Sequence, residues 1–151
     1  MELSLKELQP LMKGFSELGN LPIEDKKIMY MVGRNLRKLS EVFSKWNERQ
    51  KRGQNRAVRQ WVKKGENGHP IQIRQPNGEV VYDFENPEHL KRYEKDIEEV
   101  EADNKVEVEL WKVKRSFLVS VPGMKANIIA LLMPVVEDDI KENSLLSLTN
   151  P

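Results

Sequence analysis

The chain has 151 residues with 25 Lys and Arg, 24 Asp and Glu, and no cysteine. The missing cysteines exclude disulfides, thiolate metal sites and a cysteine nucleophile. A hydrophobic fraction of 38% beside 32% charged residues predicts a soluble domain rich in amphipathic helices. The first residues lack the pattern of a signal peptide, and the longest apolar run, 128–136, is too short to span a bilayer. We therefore expect a cytoplasmic protein without a membrane anchor.

Two amphipathic helices are predicted at the start of the chain. Ser4 with Glu7 three positions later is the pattern of a capping box, and Gly19-Asn20 ends the first helix. Leu21-Pro22 opens the second helix, with acidic residues in its first turn. Its apolar residues recur at heptad spacing. They are Ile28, Val32, Leu36, Leu39, Phe43 and Trp46. Gly53 is expected to interrupt this helix before the basic stretch 56–64 resumes it.

A β-hairpin and an acidic helix are predicted next. Asn77-Gly78 lies between two β-prone runs, and both residues tolerate the positive φ angles of a type I′ turn. Asn86-Pro87 supplies an N-cap and a first helical residue. A second heptad seam then follows on an acidic segment. It consists of Leu90, Tyr93, Ile97 and Val100.

Strands and a short helix complete the predicted fold. Residues 105–113 alternate between apolar and polar as a strand does, and 117–121 suggest a further strand. Residues 124–133 read as a short apolar helix that Pro134 ends. We predict an α+β fold with one domain over 1–138. The tail, 139–151, is expected to be flexible, and Leu145, Leu146 and Leu148 in it have no assigned role.

Charge is divided unevenly along the chain. Residues 26–64 carry thirteen Lys and Arg against two acids, a net of +11, whereas 83–109 carry eleven acids against four bases, a net of −7. The two heptad seams therefore predict an antiparallel helical pair in which flanking bases meet flanking acids. Because the acidic seam is the shorter one, it leaves basic residues over, and a seam without an internal partner would favour a homodimer.

The basic surface within 49–64 is the candidate binding site. Its residues are Arg49, Lys51, Arg52, Arg56, Arg59, Trp61, Lys63 and Lys64. Clustered cations bind phosphates or carboxylates, and an aromatic side chain can stack on a base. Three interpretations stay open at this point: a solvated helical face with Trp61 in the core, a site for an acidic protein, or a nucleic-acid-binding surface.

Catalytic and cofactor patterns are missing from the sequence. His69 and His89 have no partner at metal-ligand spacing, and the acids of 94–103 read as a solvated helical face. Phosphate-binding loops, calcium loops and nucleophile elbows are absent as well. We therefore expect a protein that is not an enzyme and that needs no cofactor or metal.

The order of several short motifs resembles a family of small uncharacterised proteins of tailed bacteriophages and prophages. The matching motifs are Leu21-Pro22-Ile23, 34–39, Arg49, 106–110 and 130–137, so that the resemblance covers about 21–138. It implies a viral source and a place in the host cell cytoplasm, but no activity and no site residues. The basic segment 49–64 and the tail beyond Asp138 depart from the pattern of the family.

These observations favour a non-enzymatic accessory protein of phage type. It would act in particle assembly or bind a host factor, through contacts of the basic surface with an acidic protein partner. The alternative function is nucleic-acid binding by the same surface, which would weaken steeply with added salt.

Overall fold

A computed structural model describes residues 1–102 and 104–140 of the chain. Within these ranges it contains five α-helices and three two-stranded sheets, which confirms the α+β prediction. The elements in chain order are β1 (Glu2–Leu3), α1 (Leu5–Gly19), α2 (Lys26–Trp61), β2 (Gln72–Arg74), β3 (Val80–Tyr82), α3 (Pro87–Glu101), β4 (Val106–Glu107), β5 (Val113–Lys114), α4 (Arg115–Ser120), α5 (Ala126–Leu132), a 3-10 helix (Met133–Val135) and β6 (Val136–Glu137).

The contacts of the chain group into two compact units. The first unit consists of the described residues of Met1–Phe43 and Asp103–Pro151, and the second unit is Ser44–Ala102. Helix α2 contributes its first part to the first unit and its last part to the second. The expectation of a single domain over 1–138 stays a prediction, and residues 141–151, with the leucines of the tail, lie outside the described residues.

Helix α1 begins and ends where its sequence predicts. The Ser4 side chain accepts a hydrogen bond from the Glu7 amide at 3.4 Å, and the Ser4 amide donates to Glu7 Oε2 at 3.1 Å. This is the predicted capping box, which satisfies two amide groups that the first turn would leave without partners. The buried face of the helix consists of Leu8, Leu11, Gly14, Phe15 and Leu18.

Helix α2 differs from its prediction at the start and in the middle. It begins at Lys26 because the Asp25 carboxylate precedes it and accepts from the amides of Lys27 at 2.8 Å and Ile28 at 3.4 Å. It then continues without a break to Trp61, so the predicted interruption at Gly53 is wrong. One glycine costs a helix only about 1 kcal/mol relative to alanine, which the packing on both sides of it can offset.

The apolar seam of α2 is buried in the first unit and not under the acidic helix. Ile28, Val32 and Leu39 are 7%, 4% and 0% exposed, and they belong to one hydrophobic cluster with residues of α1, α4 and α5. The predicted antiparallel pairing of α2 with α3 is confirmed, but these three residues of the α2 seam do not pack on the seam of α3. Val32 and Leu39 pack into the core of their own chain, and a homodimer along the seam stays a prediction.

The hairpin has the predicted strands but a different turn. Strands β2 and β3 pair antiparallel, with Ile73 opposite Val81. Gly78 has a φ of 88°, whereas Asn77 does not have a positive φ, so the turn is not of type I′. The Gly78 amide donates to the Gln75 carbonyl at 2.9 Å, and Asn77 Oδ1 accepts from the Glu79 amide at 3.0 Å. Pro76 occupies the second turn position, which suits a type I turn followed by a left-handed glycine.

Helix α3 packs in antiparallel order against the last part of α2, within the second unit. Its N-terminus has the predicted cap, since Asn86 Oδ1 accepts from the His89 amide at 2.9 Å and Pro87 follows. The Gln50 side-chain amide donates to the Val100 carbonyl, and Gly53 also faces the Val100 side chain. A Cβ atom at Gly53 would lie 2.5 Å from Val100 Cγ2. Glycine at position 53 therefore permits the close approach of the two helices.

The C-terminal part of the first unit contains less strand than predicted. Between residues 104 and 121 only Val106–Glu107 and Val113–Lys114 are strands, and they pair with β1 and β6 respectively. The predicted strand over 117–121 is wrong because Arg115–Ser120 forms α4.

A distant residue stabilises the first turn of α4. The Ser116 hydroxyl and amide both donate to the Asp139 carboxylate, the amide at 2.9 Å. These hydrogen bonds hold the pKa of Asp139 below its ordinary value. An anion at a helix N-terminus also favours the helix electrostatically.

Substitution of Gly53 tests the close approach of α2 and α3. Alanine in place of an exposed helical glycine normally stabilises a protein by about 0.5–1 kcal/mol. Gly53→Ala should instead lower the free energy of unfolding by about 1–3 kcal/mol, because the new methyl group overlaps Val100. Gly33→Ala is the matched control, since a Cβ atom there meets nothing within 4 Å in the same helix. Urea unfolding would measure both variants, and equal stabilisation by the two would contradict the described packing.

Candidate partner-binding surface

The arginines of the basic surface form a stripe along the last part of α2. Arg49, Arg52, Arg56 and Arg59 are spaced by 3, 4 and 3 residues, which places them on one side of a continuous helix. At a rise of 1.5 Å per residue the stripe is about 15 Å long. The predicted break at Gly53 would have divided these residues between two helices, so the continuity of α2 is what aligns them.

All seven cations of the basic surface are exposed to solvent. Arg52 forms an ion pair with Glu48 of the same helix at 3.6 Å, and Arg59 Nε donates to the Asn55 carbonyl at 3.4 Å. Both are contacts between residues one helical turn apart. Surface pairs of this kind are worth only a few tenths of a kcal/mol. They leave the arginines accessible to a partner.

The acids of α3 do not form ion pairs with these cations among the described residues. Glu94, Glu98, Glu99 and Glu101 are exposed, and the ion pair within α3, between Arg92 and Glu88 at 2.8 Å, is a local one. Asp103, a further acid of the segment 83–109, lies outside the described residues. The expectation that bases of one helix meet acids of the other is therefore wrong for the described part of the chain. Hydrogen bonds and apolar contacts hold α3 to α2 instead.

Trp61 differs from the other seven residues of the predicted site. Its side chain is half-buried, and its indole N–H donates to Asp96 Oδ2 at 2.7 Å. The Arg92 guanidinium lies 5.2 Å from the Trp61 ring centroid, and the ring of His89 lies 5.5 Å away. Trp61 therefore makes its contacts within the second unit, where it connects the end of α2 to α3.

Lys63 and Lys64 follow the end of α2 and attach the hairpin segment through their backbone. The Lys63 amide donates to the Asp83 carbonyl at 2.9 Å, and its carbonyl accepts from the Ile71 amide at 2.9 Å. Lys64 forms a β-bridge with Pro70. Their side chains remain exposed and extend the positive charge beyond the stripe.

Tyr93 of α3 is packed among aromatic side chains of the hairpin. The ring of Phe84 lies 5.2 Å from it, and the ring of Tyr82 lies 6.1 Å away with an edge-to-face geometry. Burial raises the pKa of Tyr93 above its ordinary value, with smaller contributions from Tyr82 and Glu101. Tyr93 belongs to the predicted acidic seam, which was expected to pack on the basic helix, but its ring contacts are with Tyr82 and Phe84.

The sequence missed a second exposed feature, on the first unit. Trp111 belongs to the predicted strand over 105–113, but the structure has it outside any strand with its side chain 43% exposed. Tyr30 beside it is 66% exposed, and their ring centroids are 5.7 Å apart. The alternating pattern of 105–113 predicts a strand, but the segment around Trp111 is not a strand in the structure. The pattern therefore did not indicate that the two rings are exposed beside each other.

Residues 1–102 and 104–140 contain no group of three His, Asp or Glu side chains arranged to hold a metal ion. None of the helices described is both long and apolar enough to cross a bilayer. Comparison with known proteins finds no family model, no curated protein and no solved structure that matches this chain. The resemblance to phage proteins therefore stays a prediction.

Removal of the indole N–H tests the role of Trp61. Trp61→Phe should lower the free energy of unfolding by about 1–2 kcal/mol, because it removes the hydrogen bond to Asp96 and part of the packing. Asp96→Asn is a matched change, since the amide oxygen still accepts the bond and the loss should be smaller. If Trp61→Phe leaves thermal unfolding unchanged, Trp61 is not a structural contact.

Titration of Tyr93 tests the packing of α3 on the hairpin. Because the pKa of Tyr93 is raised in the folded state, unfolding releases a proton once the pH exceeds the ordinary value of 10.0. Its contribution to stability is full below that pH and is lost as the pH rises through the folded pKa. In Tyr93→Phe the decline of stability above about pH 10 should therefore be less steep than in the unsubstituted protein. Equal declines in alkaline urea titrations would contradict the burial of Tyr93.

Proposed function

We propose that this protein is a non-enzymatic binding protein that recognises an acidic protein partner through the basic surface. One observation carries the proposal: four arginines are aligned and exposed on a continuous helix, and no carboxylate of α3 pairs with them in the described structure. The proposed setting is that of a phage-type accessory protein, acting in particle assembly or on a host factor.

Arginine is the cation best suited to this role. Its planar guanidinium donates two parallel hydrogen bonds to a carboxylate and stays charged at any physiological pH. Each exposed ion pair contributes only about 0.2–1 kcal/mol, so a useful affinity requires several pairs formed together. A stripe with a regular spacing offers such a set to an acidic helix or an acidic extended segment. The field of the stripe would also accelerate association at low ionic strength.

Nucleic-acid binding is the second candidate function, since arginines arranged in this way can also contact phosphates. The position of Trp61 favours the protein partner. Proteins that bind single strands combine cations with aromatic side chains on which bases stack. Trp61, the aromatic residue of the basic surface, is half-buried and hydrogen-bonded to Asp96, so its ring is not free to stack on a base.

Charge reversal of the stripe tests the proposal. The triple variant Arg52→Glu, Arg56→Glu and Arg59→Glu should keep the circular dichroism spectrum of the fold while losing at least about tenfold in affinity for a glutamate-rich peptide. The matched control reverses three exposed lysines of the first unit, Lys13, Lys105 and Lys125. This control should bind the peptide with a much smaller loss.

Fluorescence anisotropy would measure these affinities, and the same method would measure binding of a DNA duplex at increasing salt. Unchanged affinity of the stripe variant for the acidic peptide would overturn the proposal. Strong binding of the duplex, lost in the stripe variant and falling steeply with salt, would favour the second candidate if the acidic peptide does not bind. Capture of a partner from host lysate by the unsubstituted protein, followed by its loss in the stripe variant, would then identify the natural ligand.

A further inference from the structure

An open groove lies on the first unit, between the start of α2 and the segment that leads through β5 into α4. Its volume is about 920 Å³, within the range of sites that hold a small ligand or a short peptide segment. Its lining is mainly apolar and includes three aromatic side chains. Tyr30, Trp111 and Phe117 are 66%, 43% and 44% exposed, respectively. Three large rings left open to solvent around one depression are unusual for a surface without a partner.

The backbone and the ring of Trp111 are both held in place. Asn35 is fully buried, and its side chain forms two hydrogen bonds with the main chain of Trp111. The Trp111 amide donates to Asn35 Oδ1 at 3.0 Å, and Asn35 Nδ2 donates to the Trp111 carbonyl at 2.9 Å. The Arg34 guanidinium lies 4.3 Å from the centroid of the Trp111 ring. An aromatic group that is already ordered loses little conformational entropy when a ligand binds to it.

The charge around the groove is positive. Four lysines line it, Lys26, Lys27, Lys112 and Lys114, against the acids Asp25 and Glu137. The Asp25 carboxylate is already engaged by the amides at the start of α2, at 2.8 Å and 3.4 Å. Glu137 lies on β6 directly opposite Lys114 of β5. The lining therefore carries four ammonium groups and two carboxylates beside its three aromatic rings.

We propose that this groove binds a short acidic peptide segment that carries a bulky apolar anchor residue, presented by a partner protein. The apolar anchor would contact the rings of Tyr30, Trp111 and Phe117, and the flanking carboxylates would face the lysines. Aromatic contacts of this kind carry most of the affinity at protein interfaces, whereas exposed charge pairs contribute mainly selectivity and association rate. The site is separate from the basic surface, which offers charge without an apolar floor.

Peptide binding tests this site directly. The probe is a fluorescent synthetic peptide with a Phe-Leu pair flanked by Asp and Glu, measured by anisotropy with the full chain. Tyr30→Ala and Phe117→Ala should each weaken binding about fivefold to tenfold, which is the usual effect of truncating an aromatic contact residue. Val119→Ala is the matched control, because Val119 is 51% exposed on the same short helix as Phe117 and does not line the groove. It should leave affinity unchanged.

Charge reversals separate the groove from the basic surface. Lys112→Glu should weaken binding of the probe, whereas Lys125→Glu, at an exposed lysine outside the groove, should not. The stripe variant with Arg52, Arg56 and Arg59 changed to Glu should keep full affinity for the probe. Loss of binding in the stripe variant, with none in the groove variants, would overturn the groove and leave the proposed function standing.

Three further results would also overturn the proposal. A polyglutamate peptide that binds as well as the probe would show that charge alone is recognised. A single-stranded oligothymidylate that displaces the probe with equal or higher affinity would assign the rings to base stacking instead. Light scattering that shows a dimer, dissociated by Phe117→Ala, would assign the groove to a second copy of the chain.

Discussion

Residues 26–61 form one uninterrupted ladder of backbone hydrogen bonds, and this ladder decides which way each side chain of α2 faces. In the first unit the ladder directs Ile28, Val32 and Leu39 into the hydrophobic cluster. In the second unit it directs Gln50 and Gly53 toward Val100. The same periodicity leaves the arginines of the basic surface on an exposed side. A break at Gly53 would divide the arginines of the stripe between two helices, so that they would lose their common register.

The charge separation of the sequence is retained at the surface of the folded protein. Ion pairs exposed to water contribute little to the free energy of folding, because water has a high dielectric constant. Packing and buried hydrogen bonds therefore decide how two helices pack. The contacts between α3 and α2 follow this rule, with one side-chain amide, one glycine and one tryptophan forming the described junction. Both the cations of α2 and the acids of α3 therefore remain available to solvent. Helices of opposite charge can be neighbours without neutralising each other.

The two proposed binding surfaces differ in physical character. The basic surface is a row of charges on one helix and suits a partner recognised through several weak pairs formed at once. The groove of the first unit combines aromatic rings, of which Trp111 is held in place, with lysine side chains, and suits a partner recognised through one inserted side chain. Asn35 is central to the groove, because a fully buried amide uses its oxygen and its nitrogen to position a single exposed tryptophan.

The sequence by itself determined the features that depend on near neighbours in the chain. The capping box of Ser4 and Glu7 and the cap of Asn86 join residues three positions apart, and the hairpin joins two runs through a short turn. Such patterns are visible in a sequence because the interacting groups lie within one helical turn or one tight turn of each other. The cationic character of 49–64 was also visible, since charge belongs to the residue and not to the fold.

Only the tertiary structure decided what each apolar face contacts. From the sequence, Gly53 predicts a break in the helix and Trp111 predicts a strand residue; in the structure Gly53 faces Val100, and Asn35 binds the backbone of Trp111. The partners in these contacts are separated by 47 and 76 positions, as the numbering of the residues gives. Periodicity tells that a face is apolar but not which of several apolar faces will cover it, because burial is non-directional. The fit between the side chains of two faces decides that choice, and this fit depends on residues that lie far apart in the sequence.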